Sequence, residues 1–166
     1  MKSKALKLAL GGVSVAAALI LSYIESLIPL SFAIPGVRMG LANIVIVFLL
    51  YKTDKLLAAL VSVIRVLLAA LLFGTVMSLA YSAAGAVLAF AVMLLLQRNC
   101  KFSPVGVSCA GAVAHNIGQT AMAMLLTETA QIAYYLPILI VSGVITGLAV
   151  GAVGALLVSK IKLNTK

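Results

Sequence analysis

Apolar residues run along this chain in long blocks separated by short polar or basic breaks. The blocks lack both the alternation of a half-buried strand and the one-sided rhythm of a helix on a soluble core. Blocks at about 8–28, 56–73, 76–96, 105–127 and 132–159 approach or exceed the roughly 20 residues that a helix needs to cross a bilayer. A further block at 39–51 is too short to cross alone. It follows Pro29-Leu-Ser-Phe-Ala-Ile-Pro35-Gly36, whose prolines and glycine interrupt a helix. The two stretches together read as one irregular passage, which must be buried in protein or line a cavity. Pro137 stands so near the start of the last block that it should disturb it little. The pattern therefore predicts an all-α integral membrane protein, with a single transmembrane domain over 1–166 built as a bundle of about six helices.

Composition agrees, and charge adds an orientation. Of the 166 residues, 64% are hydrophobic and 9% are charged, too few for a water-facing surface. The net charge of +9 does not indicate nucleic acid, because the basic residues fall in short clusters between apolar blocks without interleaved aromatics. With the N-terminus inside, Lys2, Lys4, Lys7, Lys52, Lys55, Arg98, Lys101, Lys160, Lys162 and Lys166 are all cytoplasmic, ten of the twelve Lys and Arg residues. Glu25, Arg38 and Glu128 fall outside. The positive-inside rule then places both termini in the cytoplasm of a multi-pass cell-membrane protein. The opening Lys2-Ser-Lys-Ala-Leu-Lys7 has the look of a signal peptide, but the membrane blocks downstream favour a retained first helix. Cys100 on a basic loop and Cys109 inside an apolar block read as free thiols.

Small residues recur at four-residue intervals. Gly143, Gly147 and Gly151 share one face of the last helix, and Gly106, Ala110, Ala114 and Gly118 one face of the fifth. Such stripes let helices approach closely in lipid, where van der Waals packing drives association. They read first as packing inside the bundle, and second as docking surfaces for another membrane protein.

Candidate chemistry is confined to polar residues at membrane depth. Glu25, Asp54 and Glu128 are the only acids, and none pairs with another in sequence. No Walker loop, CxxC or His pair is present, so neither a catalytic signature nor a metal or other cofactor is expected. Arg65 lies about ten residues into its helix, roughly 15 Å from the cytoplasmic end at the usual rise. There an Arg costs about 2.5–3.5 kcal/mol on insertion scales. It is either bonded to backbone carbonyls or an anchor for an anionic group. His115, Asn116 and Gln119 form a second cluster at similar depth and point to a polar cavity. A third gathers externally: Glu25, Arg38 and Asn43 flank the broken segment, with Thr75, Ser78, Tyr81 and Ser82 at the turn into the fourth helix. Glu25 and Arg38 could equally form a plain interfacial ion pair.

The run Glu25-Ser-Leu-Ile-Pro-Leu-Ser-Phe-Ala-Ile-Pro-Gly-Val-Arg-Met-Gly-Leu-Ala-Asn-Ile44 resembles the signature of the Gx transporter family, also described as heptaprenyl diphosphate synthase component I. Gly74-Thr-Val-Met-Ser-Leu-Ala-Tyr-Ser-Ala-Ala-Gly85 and Ala114-His-Asn-Ile-Gly-Gln119 are similar to its other recurring stretches. That family in turn resembles the substrate-binding S-components of energy-coupling factor (ECF) transporters. The resemblance implies a six-helix protein that binds a small ligand near its external side and docks a coupling subunit driven by two ATPases. It would make Pro29 to Arg38 a lid. S-components dock through an Ala-x-x-x-Ala pattern on the first helix; here Ala5 and Ala9 have the spacing at the extreme cytoplasmic end, and Gly12 and Ala16 continue it deeper. The synthase description meets a chemical difficulty, because Mg²⁺-diphosphate needs several oxygen ligands and this chain has one Asp.

Together these readings predict a substrate-binding transport component, not by itself an enzyme. Its ligand would be small and anionic or polar, of a vitamin, flavin, or isoprenoid or quinone-related type. The expected binding residues are Arg65, His115, Asn116 and Gln119 at the floor of the pocket and Glu25, Arg38, Asn43, Ser78, Tyr81 and Ser82 above them. The alternative is a non-catalytic accessory subunit in heptaprenyl diphosphate synthesis or membrane redox chemistry.

Overall fold

The computed structural model describes residues 4–28, 39–98 and 102–161. They form six α-helices: α1 (Lys4–Leu27), α2 (Asn43–Lys52), α3 (Lys55–Phe73), α4 (Val76–Arg98), α5 (Pro104–Thr127) and α6 (Leu136–Lys160). A 3₁₀ turn, Ala130–Tyr135, leads into α6. Among the described residues there is no strand. The expected all-α membrane bundle is what the sequence forms.

The helix ends follow local chemistry. Ser103 caps α5 by accepting from the Gly106 amide at 3.2 Å, and Pro104 fills the first turn, where a missing N–H costs nothing. The start of α4 is held by a reciprocal pair: Thr75 N–H donates to Ser78 Oγ at 2.9 Å, and Ser78 N–H to Thr75 Oγ1 at 3.2 Å. Pro137 lies in the first turn of α6 and does not break it.

Four segments are long and apolar enough to cross a membrane: α1, α3, α4 and the continuous Ala130–Lys160 unit. Their outward residues are large and apolar; Leu8 is 79% exposed and Leu71 78%. Such surfaces are stable against lipid and not against water. α5 has comparable length but carries Ser108, His115, Asn116, Gln119 and Thr120.

α2 is the central element. It touches α1, α3, α4, α5 and α6, and Ile44, Ile46, Val47, Phe48, Leu49 and Leu50 are all buried. A helix buried on every side carries no amphipathic signal. Its ten residues rise about 15 Å, half of a hydrocarbon core of about 30 Å. It ends at Lys52, beside Lys55 and near the Lys7–Asp54 ion pair that ties α1 to the α2–α3 turn. Lys7, through its hydrogen bond and then its charge, holds the Asp54 carboxyl below the usual carboxylate range. Chain direction brings Lys4, Lys7, Lys52, Lys55, Arg98 and Lys160 to this same end of the bundle.

α4, α5 and α6 pack at backbone distance. A Cβ on Gly147 would lie 2.7 Å from the Cα of Cys109, and one on Gly151 2.8 Å from that of Val105. The α6 stripe is therefore internal packing, as its small residues suggest. Cys109 is a free thiol, and Cys100 lies outside the described residues. The small residues of α1 have a different setting. Ala5, Ala9, Gly12 and Ala16 are all exposed, on the face opposite buried Ser14 and Ala18, and a methyl on Gly12 would meet nothing within 4 Å.

Candidate functional site

Because α2 fills only the basic half of the bundle axis, the other half holds no continuation of it among the described residues. There lies a cavity of about 320 Å³. α2 starts at its edge, with Met39, Gly40 and Asn43 in the wall.

Arg65, Val66, Ala69, Ala70 and Phe73 bring the inward face of α3 to the cavity. Arg65 stands on the same side of that helix as buried Ala58, Val61 and Ser62, so the guanidinium is directed inward, away from lipid. α5 supplies His115 and Asn116 at nearly the same depth. Both are seated in slots left by glycines on the flanking helices. A Cβ on Gly85 of α4 would lie 2.9 Å from Nδ1 and Cε1 of His115, so that edge of the imidazole rests on bare backbone. A Cβ on Gly143 of α6 would lie 2.8 Å from Nδ2 of Asn116. That amide donates to the Leu139 carbonyl at 2.6 Å and is 4% exposed.

Glu25 closes the end of the cavity far from the basic cluster. Its two carboxylate oxygens accept from the amides of Gly40 at 2.9 Å and Leu41 at 3.1 Å. A carboxylate at that position satisfies donors at the entry to α2 and favours the positive end of the helix dipole. Gly40 has φ +68°, a left-handed conformation that glycine adopts without strain. Nearby, the rings of Tyr23 and Phe73 meet with centroids 5.2 Å apart.

Of the residues singled out from sequence, Glu25, Asn43, Arg65, Ser78, Ser82, His115 and Asn116 line this one cavity. Gln119 and Tyr81 do not. Gln119 shares the His115 face of α5 but lies one turn further on, where the wall no longer includes it. Arg38 and the expected lid, Pro29 to Arg38, lie outside the described residues. Ser22, Ser26 and Thr146 also line the cavity and were not anticipated. Ser22 had a signal, standing three residues before Glu25 and four before Ser26 along α1, within about one turn. Ser78 does more than line the wall, since its hydroxyl caps α4. Among the described residues no three His, Cys, Asp or Glu side chains gather in a way that could hold a metal ion. The chemistry on offer is recognition: a guanidinium, an imidazole and amides that can bond a carboxylate, phosphate or carbonyl group.

A search of curated proteins and a search of solved structures each found no match. A family model described as heptaprenyl diphosphate synthase component I matches residues 14–157, which include every described cavity residue. The chain belongs to the heptaprenyl diphosphate synthase component I family.

Proposed function

We propose that this protein is the substrate-binding component of a membrane transport system, similar in kind to an ECF S-component. The observation that carries the reading is the cavity itself, in which Arg65, His115 and Asn116 lie at the floor of a space inside an otherwise apolar bundle. An ionisable residue at membrane depth costs several kcal/mol unless function or pairing retains it. The ligand would be small, with an anionic or strongly hydrogen-bonding group, of a vitamin, flavin, or isoprenoid or quinone-related type. The basic end of the bundle would face the cytoplasm of the cell membrane, with both termini there, and the cavity would open outward. With no ATP-binding loop in the sequence, driven transport needs a coupling subunit and ATPases. The exposed Ala5, Ala9, Gly12 and Ala16 offer a small-residue face on which such a subunit could pack.

The family description favours a second reading, a membrane accessory subunit of a prenyl diphosphate synthase. With three acidic residues in all, this chain would then be the non-catalytic partner. Affinity purification from native membranes in mild detergent separates the two. Stoichiometric recovery of ATPase and coupling subunits supports transport. Recovery of an Asp-rich prenyl synthase subunit, with synthase activity in the eluate, would replace it with the accessory role.

A further inference from the structure

We propose that the outer end of the cavity is a subsite for a nitrogen cation, formed by Glu25 and Ser22 of α1 with Asn43 of α2. The inference rests on the reading of the cavity as a ligand site and gives that ligand a positively charged end.

Ser22, Glu25 and Ser26 lie within about one turn of α1, and all three line the cavity. The Ser22 hydroxyl is buried, and among the described residues it has no hydrogen-bond partner. A serine in a helix can satisfy itself on a carbonyl of the preceding turn, as Ser26 does on Tyr23 at 2.7 Å. Ser22 makes no such bond, which costs stability unless something in the cavity takes it up. Its hydroxyl can both donate and accept.

Among the described residues Glu25 is the only acid in the cavity wall. An ionised carboxylate offers about four acceptor positions, and the amides of Gly40 and Leu41 take two of them. The rest of its capacity, with its charge, is available to the cavity. Ser26 Oγ has given its proton to Tyr23 and can only accept, and the Asn43 side-chain oxygen accepts as well. This end of the cavity therefore has an excess of acceptors and a negative charge. An anion there would meet Glu25, and a bare hydrocarbon would leave the Ser22 hydroxyl unbonded. A neutral donor could bond Ser22, but an N⁺–H···O⁻ bond to Glu25 is roughly twice as strong as a neutral one.

Position sets the shape of the ligand. Lys7 and Asp54, bonded to each other, mark a common level for α1 and α3 at the basic end, and the Tyr23–Phe73 ring contact marks another near the outer end. Counted from either level at the helical rise, Glu25 stands about 10–15 Å beyond Arg65. A ligand that meets both side chains is extended and carries charges of opposite sign at its two ends.

The test uses the full-length protein in lipid nanodiscs with 6-aminohexanoate and hexanoate, which differ by one ammonium group, and reads binding by calorimetry. Hexanoate is the more apolar probe, so burial alone favours it. The expected result is the reverse, with 6-aminohexanoate bound about tenfold or more tightly. Ser22→Ala should weaken 6-aminohexanoate about threefold or more and leave hexanoate unchanged. Without ligand this variant should unfold no more easily than the wild type, because it deletes a hydroxyl that has no partner among the described residues. Glu25→Gln should bring the two probes to equal affinity, and retained hexanoate binding shows that it is folded. Hexanoate bound as tightly as 6-aminohexanoate by the wild type would overturn the cation subsite while leaving the ligand site standing. A preference for 6-aminohexanoate that survives both substitutions would put the ammonium elsewhere and overturn the subsite as well. No binding of either probe would overturn both the site and its cation subsite.

Discussion

Gly143→Ala tests whether the floor of the cavity is shaped by a missing methyl group. The new Cβ would lie 2.8 Å from Asn116 Nδ2 and 3.4 Å from the Ala112 carbonyl carbon and oxygen. The second distance can be absorbed by a shift of a few tenths of an ångström; the first cannot, because the amide is held by its 2.6 Å bond to Leu139. The side chain must rotate away, and at 4% exposure water cannot take the place of the lost carbonyl. A buried amide that loses its partner costs about 1–3 kcal/mol, and overpacking costs a similar amount. A loss of about 2 kcal/mol is expected in equilibrium unfolding from mixed micelles. Asn116→Ala removes the obstacle, so in that background Gly143→Ala should cost well under about 1 kcal/mol. The cycle then gives a coupling of about 1–2 kcal/mol between the two positions. Additivity within about 0.5 kcal/mol would refute the slot and assign the cost of Gly143→Ala to the α5–α6 spacing.

Other expectations are local. Glu25→Gln replaces an anion that accepts from two amides with a neutral group that can accept at only one oxygen; it should lower stability by about 1–2 kcal/mol in the same unfolding assay. Glu128 ends α5 at φ 50°, where a side chain strains the left-handed backbone, so Glu128→Gly should raise stability by up to about 1 kcal/mol. The Asp54 carboxyl sits below its ordinary value through Lys7, and its contribution to stability is therefore present above the unfolded-state value of about 4 and lost as pH falls through the folded-state value. Both groups are exposed, so the effect is small. Asp54→Asn should lower stability slightly near neutrality and flatten the profile below about pH 4, where the two proteins converge.

The sequence made the lipid-facing framework legible because hydrophobic length is a direct record of bilayer thickness. The helices observed begin and end within a few residues of the apolar blocks, and the shortness of 39–51 pointed to a buried, incomplete passage. Arg65 was legible as inward-facing because lipid tolerates a guanidinium poorly. What did not show was which groups meet. Glu25 could be placed near the cavity from sequence, but its carboxylate meets the backbone amides of Gly40 and Leu41, partners that residue identity does not encode. The seats of His115 and Asn116 depend on glycines 30 and 27 positions away, Gly85 and Gly143, which sequence reads only as general packing residues. Gln119 and Tyr81 follow the same limit. A helix face can be read from spacing, but where a cavity stops depends on the neighbouring helices.

The central claim is that the cavity around Arg65, His115 and Asn116 retains a small ligand, and native mass spectrometry of protein released from native membranes tests it most directly. The wild type should carry one small-molecule adduct of defined mass, and Arg65→Ala should lose it while Gly12→Ala, where a methyl meets nothing, keeps it. An adduct of the same mass and occupancy on Arg65→Ala, with that variant still folded, would contradict the claim.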